Sequence, residues 1–167
     1  PAVEGSGLEA PMLAEMVAAG SLPPMEERIP SNPRVMPVME EIGKHGGLIR
    51  RGFKGVSDRW GPTKHNDRGL CWYDKDLVNQ PRIAESWEIN TDASEWTFHL
   101  RKGMKYNDGS PFDSDSYKWT WENIAMNETL TTSPWGGLST GSPRVWGEMT
   151  FPDQHTFKIT YEGPKPM

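Results

Sequence analysis

The chain has 167 residues, with 18 Lys and Arg against 23 Asp and Glu, a formal net charge of −5 and a sequence pI of about 5.4. That length supports a domain with its own core, and an acidic chain without a concentrated basic stripe excludes a phosphate-tracking, nucleic-acid-binding surface. A mean hydropathy of −0.71 and a longest apolar stretch of only Met12–Ala19 exclude a bilayer-spanning helix in this sequence.

The opening PAVEGSG has no basic or strongly apolar segment. It reads as a flexible tether of the kind that follows a cleaved signal or a lipid-modified terminus. Residues 8–20 predict a short helix, with Pro11 in its first turn, Leu13, Met16 and Val17 on one face, and Gly20 as a left-handed stop. Pro23, Pro24, Pro30, Pro33 and Pro37 then punctuate an extended arm. It lacks too many N–H groups for a sheet interior, so it is expected to wrap over a surface. Val38–His45 predicts one more helical turn before Gly46 and Gly47 break it, and Leu48–Lys54 predicts a strand ending at Gly55.

A polar loop, Ser57–Gly69, precedes the compact run Leu70–Tyr73. It contains Cys71, the sole cysteine, which excludes an internal disulfide or a cysteine zinc site and reads as a small buried hydrophobe. The clearest periodicity follows. Trp87 and Ile89 alternate with Glu88 and Asn90, and Trp96, Phe98 and Leu100 alternate with Thr97, His99 and Arg101. With the short polar link Thr91–Glu95 between them, these runs predict an antiparallel hairpin.

Lys102–Gly103 turns the chain, Met104–Tyr106 predicts a short strand, and Asn107-Asp108-Gly109 is a strong turn signal. A helix is expected over Asp115–Met126, capped by Asp113 or Ser114, with Tyr117, Trp121 and Ile124 on its inner face and Trp119 opposite. After a Ser/Thr/Gly/Pro loop, Thr129–Pro143, a last hairpin is predicted from Val145–Phe151 and Thr156–Tyr161. The order of elements implies a mixed α/β or α+β unit rich in antiparallel pairing.

No catalytic grouping emerges. His45, His65, His99 and His155 lack the spacing of a zinc helix, and His99 reads as a solvated residue on a strand's polar face. Asp108, Asp113 and Asp115 fit turn and cap roles better than a calcium loop, which would need a closing Glu. The nine methionines are scattered and suit core filling. Eight tryptophans are the compositional oddity. Trp87, Trp96 and Trp121 fall at core-facing positions, whereas Trp60, Trp72, Trp135 and Trp146 lie in or beside loops, where an indole either packs locally or stacks on a ligand.

The run PRIAESWEINTDASEWTFHLRKGMKYNDGSPFDSDSYKWTWENI, Pro81–Ile124, resembles the signature region of the extracellular solute-binding proteins of family 5, the peptide, nickel and oligosaccharide receptors of ABC importers. The matching positions are Pro81, Ala84, Ser86, Trp87, Asp92, Trp96, Thr97, Phe98, Leu100, Arg101, Gly103, Asp108, Gly109, Pro111, Phe112 and Asp115. Ile83 and Tyr106 are conservative departures from that pattern. The resemblance implies the N-terminal part of lobe I of a two-lobed periplasmic-binding-protein fold, with residues 1–44 as an extension and 45–167 as an incomplete lobe.

It further implies capture of a small solute, of oligopeptide or oligosaccharide class, for delivery to ABC permease subunits. No reaction, cofactor or metal is implied, and the location would be periplasmic or extracellular. Trp87, Trp96, Phe98, Asp108, Gly109 and Pro111 would be structural signature residues. Asp58, Arg59, Trp60 and Trp72 are the candidates for lining the cleft, with fixed polar groups orienting a solute and indole faces supplying apolar contact. Asp58 and Arg59 as a solvated loop pair is the plainer alternative. A different class of function is an interaction or scaffold subunit, whose Pro-rich arm and spare tryptophans bury against another protein or the rest of a parent chain.

Overall fold

The structure, a computed structural model, describes residues 9–38, 40–50, 52, 54–55 and 69–166. In chain order its elements are α1 (Pro11–Ala18), α2 (Met25–Arg28), β1 (Cys71–Tyr73), β2 (Asn79–Pro81), β3 (Ala84–Ile89), β4 (Glu95–Leu100), α3 (Ser114–Thr120), a π-helical turn (Trp121–Ala125), a 3-10 turn (Gly136–Leu138), β5 (Ser139–Thr140), β6 (Val145–Trp146), β7 (Glu148–Asp153) and β8 (Thr156–Thr160). It is a mixed α/β fold.

The alternating aromatics do form a paired ribbon. In the β3–β4 hairpin Trp87 lies opposite Phe98 and Ile89 opposite Trp96. The link is closed by Asp92, whose carboxylate accepts from the Ser94 hydroxyl at 2.8 Å and the Ser94 N–H at 3.2 Å. Strand β4 also pairs with β8, and β8 with β7, giving an antiparallel sheet in the order β3-β4-β8-β7. Because side chains alternate across a strand, Trp96, Phe98 and Leu100 share one face with Phe157 and Ile159, and all five are buried. The other face is polar: Lys158 pairs with Glu95 at 3.0 Å, and His99 bridges Thr156 and Glu88 at 3.3 Å each.

Helix α3 closes the apolar face. The Tyr117 ring stacks on Phe157 with centroids 4.6 Å apart, Phe157 on Phe98 at 5.2 Å, and Phe98 on Trp96 at 5.9 Å. From Tyr117 the chain of rings continues edge-on through Phe112 to Tyr106. Burial pushes the Tyr117 phenol up to about 12, with the Tyr106 phenol adding to it, and burial raises Tyr161 as well. The folded state thus binds these protons more tightly than the unfolded chain, whose tyrosines titrate near 10. Their stability contribution is whole below about pH 10 and is lost as pH rises through the folded value, a loss on the order of 2 kcal/mol for Tyr117. The urea midpoint should therefore fall between about pH 10 and 12, and Tyr117→Phe should flatten most of that fall.

Several expected elements take other forms. Pro11 does open α1 and Gly20 is left-handed with φ 69°. Yet Leu13 and Val17 are only half-buried and Met16 is exposed, so the helix lies on the surface. No helical turn forms among the described residues of 38–45, and no strand among those of 48–54. Met104–Tyr106 makes a single bridge, Lys105 to Pro111, because the turn at Gly109 (φ 87°) folds it back at once. The helix expected over 115–126 is α-helical only to Thr120 before widening into the π turn.

The last hairpin is split at Gly147. A Cβ there would lie 3.0 Å from both the Thr160 carbonyl oxygen and the Tyr161 ring. Before this point Val145–Trp146 pairs instead with β5. The β1–β2 hairpin has no counterpart among the sequence expectations.

Candidate functional site

Trp72 is placed by the β1–β2 hairpin, where it lies opposite Gln80. Asp74 closes that hairpin: one carboxylate oxygen accepts from the N–H groups of Asp76 and Val78, both at 2.9 Å, and the other from the Gln80 amide at 2.8 Å. The Val78 N–H, then the Gln80 amide, holds the Asp74 carboxyl below the usual carboxylate range, so it stays ionised at neutral pH.

Over the hairpin runs the Pro-rich arm. The Arg34 guanidinium sits 4.5 Å from the centre of the Trp72 ring, and that of Arg82 6.0 Å from it. Arg101 at the end of β4 is buried, donating from Nε to the Arg82 carbonyl at 2.9 Å and from Nη1 to the Asn32 carbonyl at 2.7 Å. Glu85 accepts from the Asn32 side-chain amide at 2.6 Å. Between arm and hairpin lies a cavity of about 630 Å³ whose lining includes Arg34, Trp72, Asp74, Gln80, Glu85 and Arg101. It offers an indole, guanidinium donors and carboxylate and amide acceptors, a set suited to orienting a polar solute.

A second cavity, of about 430 Å³, lies between α3 and the apolar sheet face and is lined almost wholly by aromatic and aliphatic groups, Tyr117, Trp121, Trp135, Met149 and Phe157 among them. Trp121, Trp135 and Trp146 meet edge-on, Trp146 lying 5.4 Å from Trp121 and 6.0 Å from Trp135. Trp146 is thus packed between Trp121 and Trp135, while Trp135 remains 38% exposed.

Of the four cleft candidates, Asp58, Arg59 and Trp60 lie outside the described residues. Trp72 lies in the polar cavity, half-buried beneath Arg34. Of the signature residues, Trp96 and Phe98 are core and Trp87 is half-buried against it. Asp108 accepts from the Ser110 hydroxyl and N–H, which hold its carboxyl low and pin the turn containing Gly109, and Pro111 is the bridge partner of Lys105.

Cavity residues that sequence reading does not single out are Asn32, Arg34, Val35, Asp74, Gln80 and Glu85. The only signal for Asp74 was the turn-like Asp74-Lys75-Asp76. Cys71 is half-buried and burial raises its thiol. Among the described residues, no group of three or more His, Cys, Asp or Glu is placed to hold a metal, and no helix is long and apolar enough to cross a membrane.

The family model for bacterial extracellular solute-binding proteins, family 5 (middle region), matches residues 79–167. The chain belongs to that family. It is 27% identical to the periplasmic alpha-galactoside-binding protein of Rhizobium meliloti, over 88% of this chain and 26% of that protein. It is 31% identical to the periplasmic oligopeptide-binding protein OppA of Salmonella typhimurium, over 59% of this chain and 20% of that one.

A solved oligopeptide-binding protein OppA superimposes with a TM-score of 0.81 at 35% identity, covering 93% of this chain and 24% of its own. The fold is thus that of periplasmic binding proteins. The chain spans between a fifth and about a quarter of the length of these relatives. All three are named for binding, none for catalysis.

Proposed function

We propose that this chain is part of the extracytoplasmic solute-binding component of an ABC importer. It would contribute one wall of a cleft that captures an oligopeptide or oligosaccharide and presents it to the membrane permease, outside the cytoplasm and without catalysing a reaction. The observation that carries this reading is the ordered family match over 79–167, supported by the fold shared with OppA. Residues 1–44 act as an extension and 45–167 as part of the first lobe. Trp72, its ring lying under the Arg34 guanidinium, stands as a candidate beside the polar groups of the arm–hairpin cavity, and Asp58, Arg59 and Trp60 stand as further candidates on the loop before it.

A cleft wall without its opposite lobe loses enclosure and most of its contacts. Calorimetric titration of the 167-residue chain with tri- to pentapeptides and with alpha-galactosides should give dissociation constants weaker than about 100 µM. The same titration of a polypeptide of the relatives' full length containing this sequence should give micromolar or tighter binding to one class. Tight binding by the short chain would overturn the half-cleft, and no binding of either class by the long one would overturn the receptor reading.

A further inference from the structure

The arm that roofs the Trp72 cavity is attached in an unusual way. Residues 30–37 read Pro-Ser-Asn-Pro-Arg-Val-Met-Pro, a Pro-x-x-Pro unit followed directly by an arginine. They form neither helix nor strand, as a segment with three missing N–H donors should not. The lobe holds them by polar contacts at Ser31, whose hydroxyl also donates to the Lys102 carbonyl at 3.2 Å, at Asn32 and at Arg34. The Ser31 N–H donates to the Lys102 carbonyl at 3.0 Å and Arg101 donates to the Asn32 carbonyl. The Asn32 amide donates to Glu85, and the Arg34 guanidinium lies on Trp72. Just upstream, the Lys105 ammonium donates to the Glu27 carbonyl at 2.7 Å. Gly103, at φ 79°, brings its backbone close to Pro30 and Ser31; a Cβ there would come within 3.7 Å of the Pro30 Cα.

This is how grooves recognise proline-rich peptides. Side-chain donors take the backbone carbonyls that a stiff, extended segment exposes; the aromatic ring, which in such grooves receives a proline, here receives the Arg34 cation. Here the ligand is supplied by the same chain. Its grip differs from that of the core. Val35 and Met36 are 69% and 51% exposed and Pro30 and Pro33 only half-buried, so the arm adds little apolar burial, the term that makes sheet strands open only with global unfolding.

We propose that residues 30–37 are a detachable strap, docked on the Arg101–Trp72 face in the manner of a proline-rich ligand, and that its docking builds one wall of the cavity. Asn32, Pro33, Arg34, Val35 and Pro37 all line that cavity, so strap docking and cavity occupancy are linked: whatever fills the cavity favours the docked strap, and releasing the strap dismantles the site. The strap deepens the functional reading only in this consequence. Its existence does not depend on which solute the protein carries, and its test uses none.

Hydrogen exchange on the full chain checks it. The reference is the Leu100 N–H, bonded to the His155 carbonyl at 2.7 Å inside the core. The Ser31 N–H should exchange at least about a hundredfold faster than this reference, by an opening that does not expose the sheet. Arg34→Ala, which removes the ring contact together with the Arg34 hydrogen bond to the Met36 sulfur within the arm, should speed Ser31 exchange about threefold, and Arg101→Met about tenfold. Arg34→Ala should leave Leu100 unchanged and should raise acrylamide quenching of the Trp72 fluorescence, isolated by difference against Trp72→Phe. If Ser31 and Leu100 exchange at one common rate, the arm is an integral part of the lobe and the strap is wrong. Unchanged Ser31 exchange and unchanged Trp72 quenching in Arg34→Ala would overturn it equally, even if Arg101→Met proves too unstable to study.

Discussion

Phe157→Ala should lower the stability of the chain by about 3–5 kcal/mol, the range for deleting a buried phenylalanine. The residue is 1% exposed and its ring is the joint between sheet and helix, stacked on Phe98 from one side and Tyr117 from the other. Two aromatic contacts of about 0.5–1.5 kcal/mol each are lost with the buried area. The neighbourhood cannot collapse to recover them, because Phe157 also walls the cavity of about 430 Å³, and the two voids would merge. Against a typical total of about 5–15 kcal/mol, that loss leaves a marginal or unfolded domain. In urea denaturation the midpoint should drop sharply. Phe157→Leu, which keeps most of the volume but loses both ring contacts, should cost less than Phe157→Ala, about 1–3 kcal/mol. Trp119→Ala makes the contrast: Trp119 is 59% exposed on the outer side of α3, and its loss should stay within about 0.5 kcal/mol. Equal losses at 157 and 119 would mean that α3 does not pack on the sheet as described.

The parts of this fold legible in the sequence are those set by local period. Alternation at Trp96, Phe98 and Leu100 fixed which side of β4 is buried, and the turn residues Asp92 and Asp108–Gly109 fixed where strands reverse. Period does not name a partner, so the central pairing of β4 with β8, across nearly sixty residues, was not legible although both strands were. The β1–β2 hairpin was missed for a different reason. Asn79-Gln80-Pro81 carries no apolar alternation, and its strand character comes from Asp74 gathering the Val78 and Gln80 donors.

At the candidate site the prolines did mark an arm that avoids the sheet. Its landing place depends on Arg101, which alternation assigns to the polar side of β4. Arg101 is nonetheless buried, since its charge is met by the carbonyls of Arg82 and of Asn32, the latter 69 residues away. From the sequence, Trp72 is a candidate for lining a cleft. It does line a cavity, but its indole face is already covered by a cation, a contact that only the folded path of the arm reveals.

Asp113→Ala should cost about 2 kcal/mol, and Asp113→Asn much less. Asp113 is buried at the N-cap of α3, where one carboxylate oxygen accepts from the Asp115 N–H at 3.0 Å. The other accepts from the Gln154 amide, also at 3.0 Å. Next to it, the Ser114 N–H donates to the Gln154 carbonyl at 2.9 Å and the Ser114 hydroxyl to the Asp153 carbonyl at 2.6 Å. One end of the helix is therefore bolted to the β7–β8 turn, and Tyr117 reaches Phe157 because that end is fixed. Alanine removes a cap worth about 1 kcal/mol and the bond from the Gln154 amide to the carboxylate, a comparable contribution of about 1 kcal/mol. For a chain of this size the melting temperature should fall by roughly 4–8 °C. Asparagine caps as well as aspartate, and a turned Gln154 amide can accept from its NH2. A loss in Asp113→Asn as large as in Asp113→Ala would shift the explanation from hydrogen bonds to the negative charge at the helix's positive end. The double variant with Gln154→Ala separates these further: if the shared bond is what matters, the second substitution should add less to Asp113→Ala than it costs alone, by more than about 0.5 kcal/mol in thermal or urea unfolding.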